Sequence, residues 1–473
     1  MSNRKKDKRK KNKANDPVPA EESKADVSKE VFPAKKKVGK FIVLVTIIVC
    51  VTAAGLLLID FMNRAPLREA RTKILEKDYT FAMTVLKDYL LDYPNDAQAL
   101  SLKAQAHAGL SEFEECRQIY EQLEGASTLE DMFAFAKSLT VLEFYAEAFS
   151  NWIGVMSKIN EGELDGWPPE RKNRYLAEAL YFMAACQTEL GKLDRAFQTS
   201  NDLVGVEGQE ALGRYIRGLV QIKRGNSTSA IEDWKKVTEL DPNLVKITVP
   251  PMVFHYEMGV LCVEEGLSRE GIQYLDKSLT LNRFQDLEMA SNSMEAIGSA
   301  YEELGESDQA EFYWKKQIDF QKQFNLGPSL ITREGLANIA LVNKKPVVAI
   351  NFLSPLRESG DLKSSTTYLM QRALTMMGKT KEAKDFQELT RELREKETKI
   401  NTIREALREK SDTYWAVVIR AYDFAKGKNW RQARQLLNTV KQHLTDDFSV
   451  RLLKAVDEQS TLPPLTDIDI DIF

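Results

Sequence analysis

Cysteine and histidine are scarce in this chain of 473 residues. The four cysteines, Cys50, Cys116, Cys186 and Cys262, lie far apart, and no two have the short spacing of a zinc or redox motif. Each stands where an apolar residue would also fit, so all four read as small buried hydrophobes. The three histidines, His107, His255 and His443, are as scattered, which argues against a His-rich metal site. Glycine and proline are few, 23 and 15 residues, which favours an ordered helical chain over a low-complexity one. The sequence has no P-loop, dinucleotide fingerprint, zinc-ligand set or nucleophile elbow. No catalytic residue, cofactor or metal is therefore expected, and the chain reads as a non-enzyme.

Charge is unevenly spread. Residues 1–40 carry 14 Lys/Arg against 6 Asp/Glu, and the remaining 433 carry 52 against 64. The basic segment 1–40 has few apolar residues and is expected to be disordered. After Lys40 comes FIVLVTIIVCVTAAGLLLI, 19 residues without a charge, ending at Asp60. At about 1.5 Å per residue it reaches the roughly 30 Å of a bilayer core, so residues 41–61 are expected to form one uncleaved transmembrane helix. Its n-region and apolar run are too long for a typical signal peptide. Lysine and arginine are denser before the run than after it, which predicts a cytoplasmic N-terminus with the body on the other side, the periplasm in a bacterium. The basic segment can also touch anionic lipid.

Beyond this run the chain repeats. In ALYFMAACQTELGKLDRAF, RYIRGLVQIKRGNSTSAI and AIGSAYEELGESDQAEF a small residue is followed seven later by Gly, and five after that by another small residue. The pairs are Ala184/Ala196, Gly218/Ala230 and Gly298/Ala310, and the same 12-residue step recurs at Ala70/Ala82, Ala104/Cys116, Ala136/Ala148, Gly259/Gly271, Ala337/Ala349 and Ala421/Ala433. Gln371/Ala383 keeps the step without the first small residue. Apolar residues at helical spacing flank each step, so two helices pack through their small residues with a positive-φ turn between them. Lys344 and Lys428 replace the turn glycine in two units. A large residue four after the second small one, such as Trp152, Trp234 or Trp314, fills the space toward the next unit.

This pattern resembles the tetratricopeptide repeat, the 34-residue helix–turn–helix unit. Ten units cover roughly 64–445, and Phe448–Gln459 reads as a capping helix, giving a solenoid over 64–460. The expected fold is all-α, a tetratricopeptide-repeat superhelical solenoid preceded by one transmembrane helix. The resemblance implies a right-handed superhelix whose first helices line a concave groove for protein or peptide ligands. The groove position three before the small residue holds Phe133, Tyr181, Tyr215, Tyr256 and Tyr368, and Asn338 and Arg372 are candidate polar contacts. Tyrosine gives contact area at low entropy cost; the alternative is that these rings pack between adjacent first helices. The Lys and Asn with which some family members clamp a chaperone C-terminus are absent from the matching positions.

Three segments stand outside the repeat. The loop 160–173 carries Trp167 before two prolines, as a packed side chain or a partner contact. The charged stretch 388–410 is a long helix, lying on the solenoid or forming a short coiled coil. Residues 461–473, with Asp467, Asp469 and Asp471 alternating with isoleucines, are expected to be a flexible acidic–apolar tail. Together these readings describe a membrane-anchored scaffold for protein–protein interactions in envelope assembly, secretion or quality control. The rival reading is a cytoplasm-facing membrane adaptor whose basic tail touches lipid or nucleic acid.

Overall fold

The computed structural model describes residues 62–358, 362–408 and 414–468, together with Thr46, Val51 and Thr52, and divides into two units, 1–68 and 69–473. In the first unit Thr46, Val51 and Thr52 are helical. The rest of the expected transmembrane helix 41–61 and the basic segment 1–40 lie outside the described residues. Among the described residues no helix is long and apolar enough to cross a membrane.

From residue 65 the chain is built from helix pairs in order. The first five pairs are α1 (Ala65–Leu75) and α2 (Tyr79–Asp92), α3 (Ala97–Gly109) and α4 (Phe113–Gln122), α5 (Leu129–Val141) and α6 (Tyr145–Asn160), α7 (Pro169–Glu189) and α8 (Leu193–Val204), and α9 (Glu210–Lys223) and α10 (Ser227–Leu240). The next five are α11 (Pro251–Glu264) and α12 (Ser268–Asn282), α13 (Leu287–Glu303) and α14 (Ser307–Phe324), α15 (Leu330–Val342) and α16 (Pro346–Glu358), α17 (Ser364–Met376) and α18 (Thr380–Arg408), and α19 (Tyr414–Lys426) and α20 (Trp430–Thr439). A final helix, α21 (Asp447–Glu458), caps the series as the repeat pattern requires.

The small residues do what their spacing predicts. Ala104 and Cys116, Ala136 and Ala148, Ala184 and Ala196, and Ala337 and Ala349 are all fully buried where the helices of a pair meet. At the α11–α12 crossing the backbones approach closely enough that a Cβ on Gly271 would lie 2.8 Å from the Gly259 carbonyl oxygen. The tryptophans fill the gaps between units, each indole N–H satisfied: Trp152 donates to Thr140 Oγ1 at 2.9 Å and Trp234 to the Tyr215 carbonyl at 3.0 Å. Burial of such large side chains with their one polar atom paired is the main cohesive contribution here. Cys116, Cys186 and Cys262 are buried and free, as their apolar settings imply; Cys50 lies outside the described residues.

Turns and caps punctuate the series. Gly191, Gly225, Gly266, Gly305 and Gly378 take positive φ between paired helices, and Lys344 (φ 54°) and Lys428 (φ 62°) take it in their place. Lys77, Ser111 and Glu143 do the same in the first three pairs. Asp96, Asp286 and Ser329 accept from backbone N–H groups that open α3, α13 and α15. Prolines 169, 251 and 346 start helices, where their missing N–H costs nothing.

One open reading resolves and one expectation changes. The stretch 388–408 belongs to the 29-residue α18, which lies on the solenoid: Ile403 is fully buried with Val418, Ile419 and Leu452, so no separate coiled coil forms there. The segment 461–468, expected to be part of a flexible tail, is packed. Leu465 and Ile468 are buried against the last units, and Asp467 pairs with Arg451 at 2.9 Å. Residues 469–473 lie outside the described residues.

Candidate binding groove

Consecutive first helices touch one another: α3 with α5, α5 with α7, α7 with α9, α11 with α13, α13 with α15, and α15 with α17. Consecutive second helices make no comparable contact among the described residues. The first helices therefore lie on the inner, tighter side of the curve and form its groove.

The groove opens into a cleft of about 480 Å3 between α1, α3, α5 and α7. Phe133 and Tyr175 form its aromatic floor, with ring centroids 4.2 Å apart, and Trp167 stands edge-on to Tyr175 at 5.4 Å. The Arg171 guanidinium lies over the Trp167 ring at 3.9 Å. Lys77, Arg171 and Arg174 are exposed on the rim, and Lys137 is held by Glu178 at 2.7 Å. The 160–173 loop puts Trp167 there because Gly162 and Gly166 turn with positive φ, Leu164 is fully buried, and Pro168 keeps the chain extended into α7. Burial, then the nearby carboxylates Glu130 and Glu178, raise the Tyr175 pKa well above that of a free tyrosine, so its hydroxyl stays protonated. A cleft with aromatic walls and more cations than carboxylates suits a peptide that offers apolar and acidic groups.

The candidate residues fall into four groups. Asn338, Tyr368 and Arg372 come together on α15 and α17, Arg372 Nη1 donating to Asn338 Oδ1 at 3.4 Å. Tyr368 is exposed there, with the Arg372 and Arg394 guanidinium groups 5.9 and 5.5 Å from its ring centre. It borders a wide cleft of about 1050 Å3 against α18. Phe133 lies in the first cleft, far along the series from that group, and is 8% exposed. Tyr181 and Tyr256 are half-buried between them, on α7 and α11. Tyr215 departs from the stripe as an exposed feature: it is 2% exposed, packed on Trp234 and Phe254, so its ring belongs to the core.

At the equivalent positions in later pairs the structure shows a bonding role. Glu295 accepts from Ser329 at the start of α15, and Glu334 accepts from Ser365 and Thr366 at the start of α17. These carboxylates tie each first helix to the next. Beside the half-buried tyrosines, Glu257 Oε2 is buried without a hydrogen-bond partner, and burial raises its pKa. The sequence pattern pointed to none of Lys137, Arg171, Arg174 or Tyr175. The available signal was the 48-residue step from Ala148 to Ala196, whose extra residues lengthen α7 to 21 and bring its first turns over the groove. Among the described residues no cluster of three or more His, Cys, Asp or Glu could hold a metal ion.

No protein-family model matches the chain, and no curated protein matches it in sequence. Several solved structures do resemble parts of it. The C-terminal part of a TPR repeat-containing protein from Cytophaga hutchinsonii is 12% identical, with a TM-score of 0.42 over 57% of this chain and 99% of that one. PilW, described as a widely conserved type IV pilus biogenesis factor, is 16% identical, with a TM-score of 0.35 over 44% of this chain and 90% of that one. YrrB, described as a TPR protein with an unusual peptide-binding site, is 17% identical, with a TM-score of 0.31 over 44% and 92%.

Proposed function

We propose that this chain is a membrane-anchored scaffold that holds partner proteins by short segments laid in its first-helix groove. The observation that carries this reading is the cleft built by Phe133, Trp167 and Tyr175 under a rim of Lys77, Arg171 and Arg174. It combines aromatic contact area with directional charge on rigid helices, in a chain whose body is otherwise acidic. The anchor is the uncharged run 41–59, and the count of lysine and arginine around it supports a cytoplasmic N-terminus with the groove on the far side. Envelope assembly, secretion or quality control are the processes such a scaffold serves. The alternative reading is a cytoplasm-facing membrane adaptor whose basic tail touches lipid or nucleic acid.

The test places a photocrosslinking amino acid at exposed Arg171 in the full chain in its native membrane, with and without Trp167→Ala. Capture of discrete partners that Trp167→Ala weakens about tenfold is the expected outcome. Crosslinks that ignore Trp167→Ala, or none, overturn the groove assignment. Protease added to the outer face of intact membranes reads the orientation: digestion of the solenoid is expected, and its protection would move the search to soluble partners.

A further inference from the structure

The groove is not the only cleft with an aromatic wall. On the second helices, α12 and α14 with the start of α13 enclose about 810 Å3. Its floor is Leu279, Ala290, Met294 and Phe320. Two phenylalanines stand over that floor and are open to solvent, Phe284 65% exposed and Phe312 58% exposed. Large aromatic rings in such positions carry a solvation cost that single scattered hydrophobes do not, because here they are contiguous with an apolar floor.

The chain takes trouble to hold Phe284 there. Arg283 and Phe284 both have positive φ, 45° and 65°, a conformation disfavoured for side chains other than glycine. The loop is clamped at its base: Asn282, 1% exposed, donates to the Asp286 carbonyl at 2.8 Å and accepts from the Asp286 N–H at 2.9 Å. Phe284 then stacks on Phe320 at 5.9 Å and lies 6.0 Å from Phe324. The loop belongs to a 39-residue step, from Gly271 to Ala310, so it is an addition to the repeat. The repeat itself requires none of this.

Charge decides what fits. Arg283, Lys315 and Lys316 line the cleft beside the carboxylate Asp319, Lys315 being paired with Glu311 at 2.5 Å, although the chain beyond residue 40 is net acidic. An apolar floor under a cationic rim complements a segment with aliphatic or aromatic side chains on one side and carboxylates on the other. We propose that this cleft is a second docking site, separate from the groove, for a partner segment in which acidic and large apolar residues alternate. A two-site scaffold can hold two partners, or two segments of one partner, at once, and the second attachment gains from the effective concentration set by the first.

A suitable probe exists in the chain's own residues 464–473, PLTDIDIDIF, synthesised as a labelled peptide. Its binding to the full chain in detergent micelles is measured by fluorescence anisotropy, beside a charge-swapped peptide with lysine for each aspartate. The expected result is saturable binding of the acidic peptide alone, weakened by salt and reduced about tenfold by Phe312→Ser and by Lys316→Glu. Both side chains are on the surface, so circular dichroism should be unchanged, and Trp167→Ala in the groove should leave this binding intact. No saturable binding, equal binding of the swapped peptide, or indifference to both substitutions overturns the proposal. Sedimentation of the full chain gives the other decisive outcome. Self-association abolished by Phe312→Ser would assign the cleft to a second copy and overturn the partner assignment.

Discussion

Trp314 shows how closely single residues are set. Its indole lies in a slot between Gly298 on its own pair and Gly335 on the next, where a Cβ at either position would penetrate the ring. Gly298→Ala is expected to destabilise the protein by about 3 kcal/mol through overpacking, read as a lower urea midpoint. The double variant with Trp314→Leu should recover part of that loss, because the clash is with the indole. His255 makes a different demand. It is 1% exposed, stacked on Tyr274, with Nδ1 unpartnered, and burial with Lys277 nearby lowers its pKa to about 4. The unfolded chain therefore binds the proton first, and stability falls as pH drops from about 6.5 toward 4. His255→Phe should flatten that slope, worth on the order of 2 kcal/mol, in unfolding curves taken at pH 7 and pH 5. A variant as pH-sensitive as the wild type would remove His255 from the account.

The helix pair is where sequence and structure agree most directly. A period of small residues is legible because a close helix crossing admits almost nothing else, and the glycine seven later marks a turn that L-residues resist. The same logic exposes the exceptions: Lys344 takes φ 54° in a turn where five other pairs have glycine. Lys344→Gly is expected to stabilise the protein by about 1 kcal/mol, seen as a raised melting temperature. No rise would mean that the lysine side chain repays its backbone strain. What was not legible has a physical cause as well. Gly335 lies outside the 12-residue step, so its pairing with Trp314 depends on the neighbouring unit. Tyr215 and Tyr181 occupy the same repeat position, yet one is core and the other half-buried, because Tyr215 is packed on Trp234 and on Phe254 of the next pair. Likewise the Asp–Ile alternation of the tail resembles a strand, while its described part makes a short 3-10 turn, Leu465–Asp467, held by the last unit's apolar end.

Within residues 69–473 the series returns on itself, a feature that no local pattern encodes. The turn of the tenth pair meets the turn of the third: Asn429 Nδ2 donates to Glu143 Oε2 at 3.3 Å, although the two lie 286 positions apart. Phe144 sits between two guanidinium groups, Arg431 at 4.3 Å and Arg117 at 5.3 Å. This explains why Glu143 stands at φ 67° where a glycine would be easier: its carboxylate is used. Contacts of this kind are worth about 1 kcal/mol each when partly exposed, enough to bias the separation of the groove's two ends but not to lock it. Glu143→Gly and Lys344→Gly relieve the same backbone conformation, so they separate the two effects. Hydrogen exchange of residues 414–439 should accelerate several-fold in Glu143→Gly, and further with Phe144→Ala, while Lys344→Gly leaves it unchanged. If exchange there is the same in all three, the third and tenth pairs are independent, and the groove is as open as its curvature alone allows. If it accelerates as expected, ligands that span the groove act against this contact, and their affinity should rise in the Glu143→Gly chain.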